Sequence, residues 1–339
     1  MTTGRTIIGT IGNDTLIGTQ FDDVIIGNGG NDVIRDLTGG NNSIEAGDGN
    51  DSISTGLGND TIRAGAGNDV INDQGGNNNI DGGDGNDRIT TGAGNDVING
   101  GLGDDIINAG NGLNDISGGD GNDRITTGNG NDLIRGGLGD DGIASGAGND
   151  RVFGGDGQDT VNAGTGADTV YGQLGDDFLF GEDGGDFLFG DDGADQITGG
   201  FGDDFMSGGA GDDTINTHSD AVVSSVPEKD TLFGGVGADV FNLQSNYTAG
   251  KQLPTSTGDQ SYAILQDFNL GEGDTLNLID PVGSYTFLQG DFDGDGVVSD
   301  TFITQFFTNG SILTQNLVAI VRNVTPLDLT TSGAVNQIV

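Results

Sequence analysis

A carboxylate recurs every nine residues along most of this chain, and glycines surround it each time. In GGDGNDRITTG at residues 82–92, repeated letter for letter at 118–128, Asp87 closes a run of Gly82, Gly83, Asp84, Gly85 and Asn86. A lone isoleucine, Ile89, follows two residues later. The unit is G-G-x-G-x-D-x-U-x, with U apolar and positions numbered one to nine. Position six is Asp in 22 of 25 windows and Asn in the other three, so the carboxylate belongs to the unit and is no accident of composition. Glycine admits positive φ and close backbone approach, so positions one to six can close into a tight turn with carbonyls facing inward. A carboxylate added to such carbonyls makes an anionic, all-oxygen donor set. That is what a hard cation of calcium size takes, with six to eight ligands.

The candidate calcium ligands at position six are Asp14, Asp32, Asp51, Asp60, Asp69, Asp87, Asp96, Asp105, Asp123, Asp132, Asp141 and Asp150. The series continues through Asp159, Asp168, Asp177, Asp186, Asp195, Asp204, Asp213 and Asp239. Some turns depart from the pattern. Phe21 replaces the position-four glycine before Asp23, PEKD before Leu232 lacks the glycines, and Asn42, Asn78 and Asn114 replace the carboxylate. A separate candidate is DFDGDGVVSD at 291–300, where Asp291, Asp293 and Asp295 stand at loop positions one, three and five with glycine at six. Position twelve there is Phe302 and not Glu, so the stretch reads either as a calcium loop, with Asp300 substituting, or as an acidic hairpin turn.

The elements that must hold these turns follow from the other three positions. Positions seven to nine are extended, and with period two only position eight points inward. That position is Leu16, Ile25, Ile34, Ile44 and so on without a slip to Ile215, then Leu232 and Phe241; one extra residue falls between Ile34 and Ile44. One aliphatic per nine residues suffices for a thin core between two parallel sheets, two units to a coil of 18, which is a solenoid. The three asparagines are 36 apart, so two coils were duplicated together.

Stacked position-six carboxylates would lie one strand spacing apart, ~4.8 Å. Each neighbouring pair then repels by ~1 kcal/mol in water and ~3.5 kcal/mol at an effective dielectric near 20. Over about twenty pairs this rivals the 5–15 kcal/mol net stability of an ordinary domain. The cation is therefore expected to make the fold. About one ion per repeat, about twenty calcium ions in all, would add roughly +40 to a formal charge of −43.

The units resemble the nonapeptides of the RTX (repeats-in-toxin) family of secreted metalloproteases, lipases, haemolysins and surface-layer proteins. AGNDVI at 93–98 and GLGDDII at 101–107 carry the turn and strand, and the resemblance covers roughly residues 10–216 and 234–241. It implies an all-β parallel β-roll with calcium between adjacent turns. DFNLGEGDTLNL followed by LVAIVRNV resembles the segment that ends many RTX proteins, next to a C-terminal signal for type I secretion. That implies an extracellular or cell-surface protein exported without an N-terminal signal peptide, consistent with the apolar-poor start MTTGRTIIGTIGNDTL and the absence of cysteine.

The expected organisation is a roll over 1–217, a linker or inserted loop over 218–229, final repeats over 230–241 and a small C-terminal β domain over 242–339. In the last, strands are expected in 262–268, 274–279, 285–288, 301–307 and 317–324.

The charge of −43 argues against nucleic acid and against an anionic membrane surface as partners, and nothing is long enough to insert in a bilayer. No enzyme is expected. The single histidine, His218, stands in the linker beside Asp220 and Ser224, and no H-E-x-x-H, G-x-S-x-G or phosphate loop occurs. Ice binding is disfavoured because position three holds Thr only at Thr165. A structural protein that self-assembles into a fibre or surface layer remains, beside a monomeric calcium-dependent adhesin for a carbohydrate or other extracellular ligand. Phe153, Tyr171, Phe187, Phe189 and Phe205 would form an outward aromatic stripe, covered either by the C-terminal residues or by another copy of the chain.

Overall fold

The computed structural model describes residues 4–218, 229–244, 262–265, 274–279, 284–290, 300–309, 312–321 and 335–338. Strands and turns make up this part of the chain, and no helix occurs among the described residues. The chain divides into two compact units, Met1–Val170 and Tyr171–Val339.

In the first unit every coil adds one strand to each of two parallel sheets. On one sheet Asn79–Asp84, Val97–Leu102 and Asp115–Asp120 lie side by side, with Ile98 between Ile80 and Ile116. On the other, Val70–Asn72, Arg88–Thr90 and Ile106–Asn108 pair in the same way, with Ile89 between Ile71 and Ile107. The register is the 18-residue coil read from the sequence. The extra residue is absorbed in a turn, since Ile25 still faces Ile44 and Ile34 faces Ile53.

Position-eight side chains form the core. Ile34, Ile53, Ile71, Ile89 and Ile125 are fully buried, as are Ile25, Ile62, Ile116 and Ile134 on the facing sheet. Each is flanked along its strand by exposed or half-buried residues, the alternation that a thin two-sheet core requires.

In the second unit the same arrangement runs through Phe187–Asp192, Phe205–Ala210 and Lys229–Val236, with Met206 opposite Leu232 across the break in the repeats. Strands form within each expected C-terminal stretch, with 266–268 and 322–324 outside the described residues. Two of them prolong the sheets: Tyr262–Leu265 pairs in parallel with Lys229–Val236, and Thr275–Ile279 with Val240–Gln244. Ser284–Gly290, Asp300–Asn309 and Ile312–Val321 make an antiparallel meander. The acidic stretch joins its first two strands, with Gly290 opposite Asp300. Asp291, Asp293 and Asp295 lie outside the described residues, as does most of the 218–229 segment.

Candidate metal centre

Glycines shape most of the turns, although Asn28, Gln173, Glu182 and Asp191 take the same positive φ at position two elsewhere. Gly83 and Gly85, at positions two and four, have φ of +106° and +126°. A Cβ on Gly83 would strike the carbonyl of Gly65, one coil back, and a Cβ on Gly85 that of Gly67. The turns therefore stack backbone against backbone, and successive position-six residues come into direct hydrogen-bonding register.

Those residues form two rows in the first unit. The first row runs through Asp14, Asp32, Asp51, Asp69, Asp87, Asp105, Asp123, Asp141 and Asp159. The amide of Asp69 donates to Asp87 Oδ1 at 2.7 Å, that of Asp87 to Asp105 Oδ1 at 2.7 Å, and that of Asp105 to Asp123 Oδ1 at 2.8 Å. The second row contains Asn42, Asp60, Asn78, Asp96, Asn114, Asp132, Asp150 and Asp168, with the same amide-to-Oδ1 capping, as from Asp132 to Asp150 at 2.8 Å. In the second unit, Asp177, Asp195, Asp213 and Asp239 cap one another along one row, and Asp186, Asp204 and Asp230 along another.

One carboxylate oxygen is thus committed to the backbone. The other is the notable one. Oδ2 of Asp69, Asp87, Asp105, Asp123 and Asp141 is buried and has no hydrogen-bond partner in the protein, and the same holds at Asp60, Asp96, Asp132 and Asp150. Buried acceptors are almost always satisfied, so the orphan repeated at Asp69, Asp87, Asp105, Asp123 and Asp141 points to a ligand along the first row. Burial pushes the Asp69, Asp123 and Asp141 carboxyls up to about 7, and neighbouring carboxylates one coil away add to the push against the capping amides. Asp87 and Asp105 are raised to about 6, again mainly by burial.

Carbonyls share the same space. A Cβ placed on Gly82 would meet both Asp87 Oδ2 and the carbonyl of Gly100, and one on Gly118 both Asp123 Oδ2 and the carbonyl of Gly136. Position one therefore opens onto a carboxylate oxygen of its own turn and a carbonyl of the next. Among the described residues no cluster of three or more acidic or imidazole side chains forms. The site is of another kind, with one carboxylate per turn and carbonyls for the rest. All donors are oxygens, and a buried negative oxygen faces them, which fits calcium.

A family model for the RTX calcium-binding nonapeptide repeat matches at residues 8–35, 37–71, 72–107, 81–116, 108–143, 144–179, 153–188, 180–215 and 228–244. Together these stretches cover well over half of the chain. The chain belongs to the RTX calcium-binding repeat family. Among solved structures the RTX roll is similar to the AlgE6R3 subunit of the mannuronan C5-epimerase of Azotobacter vinelandii, at 20% identity and a TM-score of 0.26, over 48% of this chain and 73% of that one. No curated protein matches the chain.

Two ends of the RTX rows differ from the rest. Asp14 Oδ2 accepts hydrogen bonds from the Thr10 amide and hydroxyl, so that turn satisfies its own carboxylate. At Asp23, after the non-glycine Phe21, burial would raise the carboxyl, but the amides of Arg5 and Thr19 prevail and hold it below its ordinary value. At the other end Asp274, which the nine-residue pattern did not reach, is buried and accepts the Asp239 amide at 3.1 Å. Its signal was the D-x-U spelling of DTL at 274–276, 35 residues after Asp239. A ladder at position five was also missed. There the amide of Asn68 donates to Asn50 Oδ1, and that of Asn86 to Asn68 Oδ1, so it runs backward along the coils while position six runs forward.

Proposed function

We propose that the chain is a secreted structural protein, and no enzyme, whose RTX roll folds on meeting calcium outside the cell and then associates with further copies into a fibre or surface layer. The row of buried, unpartnered carboxylate oxygens carries this reading. Without a cation those oxygens repel one another and lack hydrogen bonds, so the chain stays unfolded where calcium is scarce and remains exportable. The likeness of the C-terminal sequence to segments beside type I secretion signals supports the export route.

Assembly is supported by apolar surface. The Tyr171 and Phe189 rings stack at 5.0 Å, Phe205 lies 5.6 Å from Phe189 and 5.1 Å from Phe233, and Phe187 keeps 50% of its surface exposed. In the first coil Ile8, Ile11 and Ile17 are exposed as well. The histidine, His218, packs edge-on against Phe201 at 5.5 Å.

The test is circular dichroism in EGTA and then in millimolar calcium, followed by sedimentation. The expected results are a coil-to-β transition and fast-sedimenting assemblies that Phe189→Ser with Phe205→Ser reduces to monomer. A chain already β-rich in EGTA at pH 7.5 would sink calcium-driven folding. A single monomer boundary in calcium would remove the assembly and favour a monomeric calcium-dependent adhesin.

A further inference from the structure

The two rows of turns in the unit Met1–Val170 have different interiors. Along the first row, position one is glycine at Gly82, Gly100, Gly118 and Gly136, and the space beside each Cα faces the Asp Oδ2 of its own turn and a carbonyl of the next coil. Along the second row the same position carries Thr55, Asp73, Thr91, Thr127 and Ser145, none more than 6% exposed. Their polar atoms reach across to the following coil. Thr91 Oγ1 donates to Ala109 O at 2.7 Å, Thr127 Oγ1 to Ser145 O at 2.6 Å and Ser145 Oγ to Ala163 O at 2.8 Å. Thr55 Oγ1 donates to Asp73 Oδ2 at 2.5 Å. Every acceptor belongs to position one of the next coil, the place whose carbonyl in the first row lies beside a glycine and the Asp Oδ2 of that glycine's turn.

The second-row carboxylates also keep a buried Oδ2, but they share their turn with a side chain at position one, where the first row from Gly82 onward has none. At position six Asn78 presents a donor where a cation needs a lone pair. Its Nδ2 donates to Asp73 Oδ1 at 2.8 Å, Asp96 Oδ1 at 3.0 Å and Gly76 O at 3.2 Å.

The backbone responds to the same difference. Strands leading into the first row run through position three and are six residues long, as in Val97–Leu102 and Asp115–Asp120. Those leading into the second row stop after three or four, as in Arg88–Thr90, Arg124–Thr126 and Ser52–Thr55. In the unit Tyr171–Val339, glycine stands at position one in both rows at Gly172, Gly181, Gly190 and Gly199. There Phe178–Asp183, Phe187–Asp192 and Gln196–Phe201 are all six residues long.

We propose that over residues 55–150 calcium is confined to the first row, and that the second row is a metal-free edge in which hydroxyl, carboxylate and amide side chains occupy the cation's place. The expectation of one ion per repeat then fails over this stretch, where only alternate repeats take one. This inference rests on the reading of the first row as a calcium site.

The test measures calcium bound by the full chain after equilibrium dialysis, in two triple variants. Asp87→Asn with Asp105→Asn and Asp123→Asn loses calcium in proportion to the carboxylates removed. Asp96→Asn with Asp132→Asn and Asp150→Asn binds as much as the unaltered chain. Equal losses from both rows overturn the inference and leave calcium binding intact, whereas an unaltered chain that takes up no calcium overturns both. Should the first variant fail to fold, calcium anomalous scattering from crystals of the unaltered protein gives the same decision. Peaks between first-row turns alone support the inference, and peaks beside Thr91 and Thr127 overturn it.

Discussion

Calcium removal should expose a pH dependence opposite to that of an ordinary acidic protein. Asp69, Asp123 and Asp141 are raised from 3.8 to about 7, and Asp87 and Asp105 to about 6, with burial the leading cause in each. A carboxyl raised in the folded state binds its proton more tightly there than in the unfolded chain. The calcium-free fold is therefore favoured in acid and loses stability as pH climbs from about 4 to about 7. At ~1.4 kcal/mol per unit, full ionisation costs about 4 kcal/mol for each of the first three and about 3 kcal/mol for each of the other two. Halving these for solvent screening still leaves roughly 9 kcal/mol over five residues, comparable to the whole 5–15 kcal/mol of a domain. Calcium reverses the sign, because it binds the ionised form and competes with the proton. The assay is far-UV circular dichroism of chelator-treated protein between pH 5 and pH 8, above the isoelectric point near 4.1. The expected outcome is β signal at pH 5 that fades by pH 7.5 and returns with millimolar calcium. Calcium-free β signal that holds or grows between pH 5 and pH 7.5 would refute the reasoning.

Four substitutions test other parts of the structure. Gly118→Val should abolish one site, since its side chain would displace Asp123 Oδ2 and the Gly136 carbonyl, and the calcium midpoint of folding should rise; Thr127→Val removes only the 2.6 Å bond to Ser145 O, costs about 1 kcal/mol and leaves the midpoint nearly in place. Ile98→Ala opens a cavity at a residue 2% exposed. It should lower stability in saturating calcium by about 2–5 kcal/mol, read from the thermal midpoint. Arg135→Ala breaks an ion pair, 2.7 Å to Asp115, with both side chains about half exposed, and should change stability by less than about 1 kcal/mol.

The period of nine was legible because each unit repeats one local solution: glycines to turn, a carboxylate to cap and one aliphatic to bury. Ile98 facing Ile80 and Ile116 follows from counting alone. Counting also gave two units to a coil, but a period of nine does not show that alternate windows, which serve different edges, differ in chemistry. Position one reads as noise when Gly82, Thr91, Gly100, Ala109, Gly118 and Thr127 are taken in order. Split by edge, it becomes glycine on one side and Thr or Ala on the other. A Thr hydroxyl and a glycine are both tolerated by a tight turn, so propensity does not separate them; what separates them is whether the next coil's carbonyl at that height meets a hydroxyl or lies beside a carboxylate oxygen. That is a property of two residues 18 apart. The same limit hid Asp274, whose partner Asp239 lies beyond a break in the spacing. A solenoid sequence therefore declares its strands locally, while the chemistry of its edges is written between coils.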